Sequence, residues 1–326
     1  MNPVLTVVGE ALIDLVPRGV GGEYQAHAGG SPFNVAVALA RLGHRTALMA
    51  RLAENGFGRL LRDTAMAEGI DLRQAARATE HATLAVVSAD SPAQVTYDFY
   101  LEGTADWQWT AAELDRLPAD TQILHFGSIA SWTVPGSRLI DHLVRKARAC
   151  SGVLVSYDPN IRPPVLGARA RGRQFVERSV RHAHVAKASR EDLEWLYPGR
   201  SVDEVAFAWT ELGAALVVVT DGADGAVAYR TGARPLRRPG RPVTVVDTIG
   251  AGDAFTAGML SGLARRDLGV PARLAAISDP ALTEVLDEAV LVSSLTCERA
   301  GADPPRAAPG AGPRPLTPAD FVSLRP

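Results

Sequence analysis

Short apolar runs rich in β-branched residues alternate along the chain with longer amphipathic stretches. The short runs have the length of buried strands, and the longer ones repeat apolar residues at helical spacing. The pattern predicts strands over residues 5–9, 46–52, 121–127, 152–158, 184–189 and 215–221, and over the run VTVV at 243–246. It predicts helices over residues 32–43, 57–69, 135–149, 172–183 and 201–213. Strands that alternate with helices are typical of an α/β fold, in which helices cover both faces of a mainly parallel sheet.

Two stretches interrupt this alternation. Residues 12–30 and 83–103 alternate apolar and polar positions and carry turn dipeptides, as hairpin strands do, without a crossover helix. We expect insertions at about 12–28 and 83–103 to form a small second sheet. Residues 303–326 are rich in proline and glycine, and we expect this tail to be irregular and partly mobile.

The composition is that of an ordinary globular protein. Lys and Arg number 34 against 36 Asp and Glu, so there is no global basic surface and we expect no nucleic-acid partner. Cys150 and Cys297 lie far apart without a CxxC or histidine-rich context, which predicts neither a disulfide framework nor a zinc site. Glu10 and Asp14 interrupt the apolar N-terminal segment, and no stretch approaches the roughly 20 apolar residues of a membrane span. We therefore expect a cytoplasmic protein without a membrane partner.

Polar and glycine residues follow most of the predicted strands. In an open parallel sheet, ligands bind beyond the carboxyl ends of the strands, because loops and helix N-termini meet there. Strand ends are often polar in any protein, so a single such loop indicates little, whereas several in one sheet predict a ligand site at that edge. The residues concerned are Glu10, Gly127 and Ser128, Asp158 to Arg162, Ser189 to Asp192, Thr220 to Gly222, and Asp247 to Asp253.

The stretch DTIGAGDAFTAG, at residues 247–258, combines small residues with two acids. Gly250, Ala251 and Gly252 have little or no side chain, so their backbone N–H groups can converge on an anion at the start of the helix that begins near Asp253. A carboxylate there would repel a phosphate, unless it accepts the proton of a hydroxyl that attacks a phosphoryl group. Asp253 is therefore either a catalytic base or the N-cap of a helix after a tight turn, and these twelve residues do not choose between the two.

A second glycine pair lies in AGGSPFN, at residues 28–34. Gly29 and Gly30 would let a ligand approach the backbone, and Asn34 offers a hydroxyl one donor and one acceptor. Together with Asp14 on the inserted sheet, this pattern is typical of polyol recognition, although a turn with capping residues looks the same. The chain has no GxxxxGKS/T loop, and its N-terminal segment lacks the GxGxxG fingerprint of a nicotinamide dehydrogenase.

The two glycine-rich stretches together resemble the two signature motifs of the ribokinase-like sugar kinases, the PfkB family. The segments GEALIDLVP, DPNIRP, VTDGADGA and CERAGADPP follow in the family's order, so the resemblance covers nearly the whole chain. It implies a single ribokinase-like domain over residues 1–326, built as a three-layer α/β/α sandwich with a mainly parallel central sheet and a small β-sheet lid over the sugar. It also implies an ATP-dependent carbohydrate kinase, which transfers phosphate to an alcohol group and uses Mg²⁺.

The resemblance assigns roles by position. Asp253 matches the catalytic base, and Gly250, Ala251 and Gly252 match the anion hole. The implied substrate-binding residues are Asp14, Gly29, Gly30, Asn34, Tyr100 and Asp253. The implied ATP-binding residues are Lys187, Ser189, Thr220, Gly222, Gly225, Gly250, Gly252, Cys297 and Ala300.

Two acids are implied in cation binding. The family's NxxE motif, whose glutamate orders the water around magnesium, reads SRED at residues 189–192. The alignment places Asp192 at the glutamate position, where a contact through water can absorb the missing methylene, and Glu191 is the alternative. Asp247 corresponds to a stretch that in several members helps to hold a monovalent cation, so it is a candidate either for a K⁺ site or for anchoring the turn.

The same segments resemble the fructokinase branch more than ribokinase or adenosine kinase. A close competitor is 2-keto-3-deoxygluconate kinase, whose acidic substrate favours a cation on the lid. The lid strand here reads YDFYLE at residues 97–102, with two acids and no arginine, which disfavours a carboxylate substrate. We predict a fructokinase that makes fructose 6-phosphate. The alternatives are 2-keto-3-deoxygluconate kinase, ribokinase or a nucleoside kinase, and a catalytically silent sugar or nucleotide sensor.

Arg162 is predicted to face the transferred phosphoryl group, which a guanidinium can bind bidentately, or else to be a surface arginine or part of a strand-end salt bridge.

Four aromatic residues surround the lid strand and the loop after it: Tyr97, Phe99, Trp107 and Trp109. They stack on the sugar, close a contact between two lids, or form a hydrophobic lid core, and all three interpretations stay open. Because lid contacts are common in the family, we expect a homodimer through the β lid.

Overall fold

Strands and helices alternate through most of the chain. The computed structural model describes residues 3–18, 22–91, 94–115, 117–308 and 314–322. In chain order the strands are β1 (Val4–Val8), β2 (Leu12–Pro17), β3 (Tyr24–Gly29), β4 (Arg45–Met49), β5 (Arg51–Ala53), β6 (Ala76–Ala78), β7 (Leu84–Ser91), β8 (Gln94–Tyr100), β9 (Thr121–Gly127), β10 (Leu154–Asp158), β11 (Val185–Ser189), β12 (Leu216–Thr220), β13 (Ala226–Tyr229) and β14 (Leu236–Arg238).

Several helices begin at a side chain that accepts a backbone N–H of the first turn, which is how serine and asparagine start helices. The capping residues are Asn55, Ser189, Ser201 and Ser278. The helices are α1 (Ser31–Arg41), α2 (Gly56–Ala67), α3 (Gly136–Ala149), α4 (Pro163–Leu166), α5 (Arg169–His182), α6 (Arg190–Leu196), α7 (Val202–Leu212), α8 (Ala251–Arg265), α9 (Pro271–Ala275) and α10 (Asp279–Cys297).

The large sheet has the strand order β14-β13-β12-β11-β10-β9-β1-β4. The strands from β12 to β4 pair in parallel, whereas β13 and β14 run antiparallel at one edge. The parallel strands therefore end at one edge of the sheet, where the predicted ligand site lies.

Alternate residues of the large sheet face two separate hydrophobic cores. On β12, for example, Leu216 and Val218 pack into the core that contains α1, α8 and α10, whereas Val217 and Val219 pack into the core that contains α3, α5 and α7. Since both faces are covered by helices, most residues of the parallel strands are apolar. The architecture is the expected three-layer α/β/α arrangement.

A second, smaller sheet has the strand order β3-β2-β7-β8 and is formed by the two predicted insertions. β2 and β3 are an antiparallel hairpin, β7 and β8 are another, and β2 pairs in parallel with β7. We call these four strands the small sheet.

The predicted strand at 243–246 is wrong. Residues 243–246 pair with no described strand, and Val245 and Val246 are 59% and 62% exposed. The N–H of Val246 donates to the carbonyl of Cys297 at 2.8 Å. The β-branched residues misled the prediction, because strand propensity has meaning only where a neighbouring strand and a buried face are present.

Trp107 and Trp109 are not part of the small sheet. They are 2% and 4% exposed and pack in the α3-side core, which excludes a contact with sugar or with a second lid for this pair. Of the tail, residues 303–308 and 314–322 are described, and this part is anchored, since Leu316 is buried and Ala307 pairs with Phe321. None of the helices in the described ranges is both long and apolar enough to cross a membrane.

Candidate active site

Two cavities meet at the N-terminus of α8. One, of about 720 Å³, lies between the small sheet and the carboxyl ends of the parallel strands. The other, of about 530 Å³, lies between the β12–β13 loop, α8 and α10. Both are lined by Val245, Thr248 and Gly252. We call the first the sugar-side cavity and the second the nucleotide-side cavity, following the roles predicted for their residues.

Asp253 lies in the first turn of α8, at the wall of the sugar-side cavity. Its Oδ1 accepts a hydrogen bond from the hydroxyl of Ser31 at 2.6 Å, and its Oδ2 accepts one from the amide of Asn34 at 2.9 Å. Burial raises the pKa of Asp253, and these two donors oppose that rise by stabilising the carboxylate. The side chain does not cap its own helix, since α8 has no side-chain cap. Of the two roles predicted for Asp253, this geometry fits the base.

The turn before α8 depends on Gly250. This residue has φ +76°, and a Cβ there would lie 2.7 Å from the Cβ of Ala302, so glycine is required on both counts. The N–H of Ala251 donates to the carbonyl of Thr248 at 3.2 Å. The next N–H groups of the first turn, those of Gly252 and Asp253, have no partner within the helix and are available to an anion.

Asp14 reaches the sugar-side cavity from β2, opposite Asp253. A Cβ on Gly29 would lie 1.9 Å from Oδ2 of Asp14, so the carboxylate occupies the space that a side chain at position 29 would fill. Burial, followed by repulsion from Asp253, raises the pKa of Asp14 to about 6, and Arg162 opposes the rise. Tyr97 and Phe99 line the same cavity from β8, with ring centroids 6.0 Å apart.

Arg162 also lines the sugar-side cavity. Its Nη1 donates to Oδ1 of Asn160 at 2.8 Å and to the carbonyl of Ile161 at 3.0 Å. Its charge lowers the pKa of Asp14, which places the guanidinium near the small sheet. The predicted contact of Arg162 with a phosphoryl group stays a prediction.

Glu10 follows β1 directly and was predicted only as one of the polar strand-end residues of a ligand site, without a role of its own. It is fully buried at the wall of the sugar-side cavity, and its Oε2 accepts the N–H of Ala130 at 3.0 Å. Burial raises the pKa of Glu10 to about 7, partly opposed by a hydrogen bond with the side chain of Ser128. Its position at a strand end was the available signal in the sequence.

Lys187, predicted to bind ATP, lies beneath the first turn of α8. Its Nζ donates to Oδ2 of Asp158 at 2.9 Å and to the carbonyl of Gly252 at 3.4 Å, and Lys187 is only 4% exposed. Thr256 Oγ1 lies 3.2 Å from the same Asp158 oxygen and 3.1 Å from the same Gly252 carbonyl. Burial alone would lower the pKa of Lys187, but Asp158 outweighs burial and the pKa is raised. The pair joins β10 and β11 to the first turn of α8.

The nucleotide-side cavity has a largely apolar wall. Of the residues predicted to bind ATP, Thr220, Gly222, Gly225, Gly252 and Cys297 line it, and Gly250 lines the sugar-side cavity. Further lining residues that were not predicted include Phe255, Val290 and Ser294. Ala300 is exposed and lies outside both sets of lining residues.

The two acids considered for magnesium differ in their surroundings. Asp192 forms a capping box with Ser189, and its two oxygens accept the N–H groups of Ile161 and Ser189 at 2.9 and 3.0 Å. Glu191 lines the sugar-side cavity, whereas Ser189 and Asp192 line neither cavity. Among the described residues, no group of three or more His, Cys, Asp or Glu side chains could hold a metal ion.

Asp247 joins the turn before α8 to the loop after α10. Its Oδ1 accepts the N–H of Ile249 at 3.0 Å, and its Oδ2 accepts the N–H of Gly301 at 2.8 Å. This geometry fits the predicted anchoring of the turn.

Tyr100 is not brought to the site. It is 61% exposed and lines neither cavity, because successive residues of a strand face opposite sides and Tyr97 and Phe99 take the cavity side of β8. The structure thus does not support a substrate contact for Tyr100.

Known proteins resemble this chain over nearly its whole length. A family model described as pfkB family carbohydrate kinase matches residues 3–308. A fructokinase of Rhizobium leguminosarum bv. trifolii is 38% identical over 277 residues, which cover 84% of each chain.

Solved structures show the same fold. The crystal structure of a Xylella fastidiosa fructokinase with bound ATP superposes with a TM-score of 0.84 at 28% identity, over 93% of this chain and 94% of that one. A Vibrio cholerae O395 fructokinase in fructose-, ADP- and calcium-bound form superposes with a TM-score of 0.80 at 29% identity, over 92% and 94%. The predicted fold and the predicted enzyme class are confirmed: the chain belongs to the pfkB family of carbohydrate kinases.

Proposed function

We propose that this chain transfers the γ-phosphoryl group of ATP to the primary hydroxyl of fructose and releases fructose 6-phosphate and ADP. The observation that carries the proposal is the position of Asp253. A buried carboxylate lies at the N-terminus of α8, at the point where the two cavities meet. Names of relatives support the choice of fructose and ATP, since those relatives include fructokinases with fructose, ADP or ATP bound.

The chemistry requires a base and a site for negative charge. Asp253 accepts the proton of the sugar hydroxyl, the hydroxyl oxygen bonds to the γ-phosphorus, and the bond from that phosphorus to the β,γ-bridging oxygen breaks. The N–H groups at the start of α8 stabilise the charge on the transferred group. The reaction also requires that water be kept from the transferred group, since water would otherwise compete with the sugar for it.

The charges of the sugar-side cavity favour a neutral substrate. Five acids line it, against one arginine: Glu10, Asp14, Glu191, Asp247 and Asp253. Arg162 already donates to oxygens of its own loop and faces Asp14. A substrate carboxylate would therefore meet net negative charge without a free cationic partner among the described lining residues, which disfavours 2-keto-3-deoxygluconate.

The donor set fits a magnesium ion that arrives with the nucleotide. With no cluster of acidic or histidine ligands among the described residues, the ion would be bound mainly by phosphate oxygens, as Mg²⁺ commonly is. Glu191, at the cavity wall, is better placed than Asp192 to contact its water shell. Bound Mg²⁺ neutralises charge on the triphosphate. A K⁺ ion at Asp247 is a further proposal from the family.

We also propose a homodimer formed through the small sheet. Its exposed aromatic residues, Tyr24 on β3 and Tyr100 on β8, support the proposal.

The test is a coupled assay of ADP release. Purified protein is given Mg-ATP with fructose, 2-keto-3-deoxygluconate, ribose, glucose, inosine or adenosine, one at a time. We expect the highest kcat/KM on fructose. Activity on the acid alone would contradict the neutral-sugar assignment, activity on nucleosides alone would overturn the sugar assignment, and ATP binding without turnover on any acceptor would indicate a sensor.

A further inference from the structure

The first turn of α1 supplies both hydrogen bonds to the carboxylate of Asp253. Ser31 and Asn34 are three residues apart, so their side chains lie on the same face of the helix. The hydroxyl of Ser31 donates to Oδ1 at 2.6 Å, and the amide of Asn34 donates to Oδ2 at 2.9 Å. The Ser31 bond is short, as expected for a hydroxyl that donates to a carboxylate.

The two donors differ in what else they can bind. Asn34 has a two-proton amide and a carbonyl, and it is the residue predicted to contact the sugar. Ser31 is 8% exposed and has a single proton, which the carboxylate already accepts. When a sugar enters, Asn34 can turn its amide to the substrate, whereas the Ser31 bond can persist.

We propose that Ser31 is a positioning residue for phosphoryl transfer, whose hydroxyl holds Oδ1 of Asp253 so that Oδ2 faces the attacking hydroxyl of the sugar. The inference rests on the proposed role of Asp253 as the base. It gives a function to Ser31, which lines the sugar-side cavity beside the base.

The hydrogen bond from Ser31 also lowers the pKa of Asp253. Asp253 is buried, Asp158 and Asp14 repel its charge, and Lys187 attracts it. Glu10, Glu191 and Arg162 line the same cavity from β1, α6 and the loop after β10. Ser31 and Asn34 are the neutral groups that stabilise the ionised form, so the loss of either donor raises the pKa of Asp253.

The experiment compares Ser31→Ala and Ser31→Cys with Ser31→Thr, which keeps the hydroxyl. The control is Ser137→Ala, because Ser137 is also a buried serine in the first turn of a helix, α3, and its hydroxyl has no hydrogen-bond partner among the described residues. The measurements are kcat and both KM values, the pH profile of kcat/KM for the sugar, and the midpoint of thermal unfolding.

We expect Ser31→Ala and Ser31→Cys to lower kcat about 10- to 100-fold, which is the effect of losing one hydrogen bond to a charged group. The sugar KM should change little. The acid limb of the pH profile should move up by about one pH unit, because a base with a raised pKa is protonated at a higher pH. Ser31→Thr should restore most of kcat and the original acid limb, and Ser137→Ala should match the wild type in both.

Three results would overturn the proposal. The first is a kcat and an acid limb in Ser31→Ala and Ser31→Cys that match the wild type. The second is a raised sugar KM with an unchanged kcat, which would make Ser31 a sugar contact. The third is an equal loss in Ser31→Thr with an unmoved acid limb. A failure of the proposed function can be told apart from a failure of this inference. If Asp253 is not the base, Asp253→Asn keeps its turnover, whatever the result with the Ser31 variants.

Discussion

The carboxylate of Asp253 is buried and accepts two hydrogen bonds. Asparagine has nearly the same size and shape, so this replacement removes the base with little change in packing. We expect Asp253→Asn to bind sugar and ATP nearly as the wild type does while kcat falls by orders of magnitude, because asparagine cannot accept the proton of the sugar hydroxyl. Calorimetry gives the two binding constants and the ADP-release assay gives kcat. Asp267→Asn, at an exposed position just after the other end of α8, is the control. A variant that kept most of its turnover would remove Asp253 from the mechanism.

Asp14 should make sugar binding depend on pH. Its pKa is raised to about 6, so its charge is present above that pH and is lost as the pH falls through it. A protonated Asp14 accepts fewer hydrogen bonds from a polyol, and we expect the sugar KM to rise from pH 7 to pH 5 while the ATP KM changes less. The matched variant is Asp14→Asn, which should show a high sugar KM with a weaker pH dependence. A wild-type sugar KM that stayed constant between pH 8 and pH 5 would contradict this role.

The residue types of the two glycine-rich stretches predicted that Gly30, Asn34 and Asp253 share one site, and all three line the sugar-side cavity. Ser31 was not predicted, although it stands between two of those residues. Its partner lies 222 positions away in the chain. A hydroxyl acquires a role only when the packing of α1 on α8 brings a carboxylate to it, and no local pattern records that contact.

Elements with a regular pattern were predicted closely, and the exceptions have physical reasons. The strand predicted at 121–127 has the observed bounds of β9, and the helix predicted at 172–183 overlaps α5. No helix was predicted at 279–297, where α10 has buried residues on several sides and therefore lacks a clear polar face. At 243–246 a strand was predicted that the structure does not have, because these residues have strand propensity but lie beside no described strand.

The buried ion pair between Asp158 on β10 and Lys187 on β11 should support the first turn of α8. We expect Lys187→Met to destabilise the protein by about 3–5 kcal/mol, because Asp158 would be left buried without a countercharge. The double variant Lys187→Met with Asp158→Asn should regain part of that loss. Chemical denaturation gives the free energies of unfolding.

The control for this pair is Lys146→Met. Lys146 faces Asp115 at 3.6 Å on the surface, where an ion pair contributes little. The role assigned to the buried pair is wrong if Lys187→Met is no more destabilised than Lys146→Met, or if the double variant is less stable than Lys187→Met alone.

At the scale of the whole molecule, the proposed homodimer can be tested by measuring the molar mass of the protein in solution. We expect light scattering after size exclusion to give twice the mass of one chain. Tyr100→Asp should shift the equilibrium toward the monomer, because it places a charge on an exposed aromatic of the small sheet. Val322→Asp, at an exposed position in the C-terminal segment, should not. A monomer at all concentrations, or equal effects of the two variants, would exclude this interface.

The arrangement of the whole molecule produces two separate cavities that meet at α8. The sugar-side cavity takes its wall from the small sheet and the strand ends, and the nucleotide-side cavity takes its wall from α8, α10 and the loop after β12. The order of strands and helices made the layers predictable. The meeting of the two cavities at α8 was not predictable from local patterns, because it depends on how the insertions fold back over the large sheet.

The burial of Lys187 has a practical consequence for chemical labelling. Lysine occurs at two positions of the sequence, 146 and 187. Lys146 is exposed on α3, whereas Lys187 is buried beneath the first turn of α8. Of the two lysines, an amine-reactive fluorophore will therefore label Lys146 in the folded protein and spare Lys187. Dye on a peptide that contains Lys187 would report that the core under the active site has opened, so mass spectrometry of the labelled digest can follow the unfolding of this region.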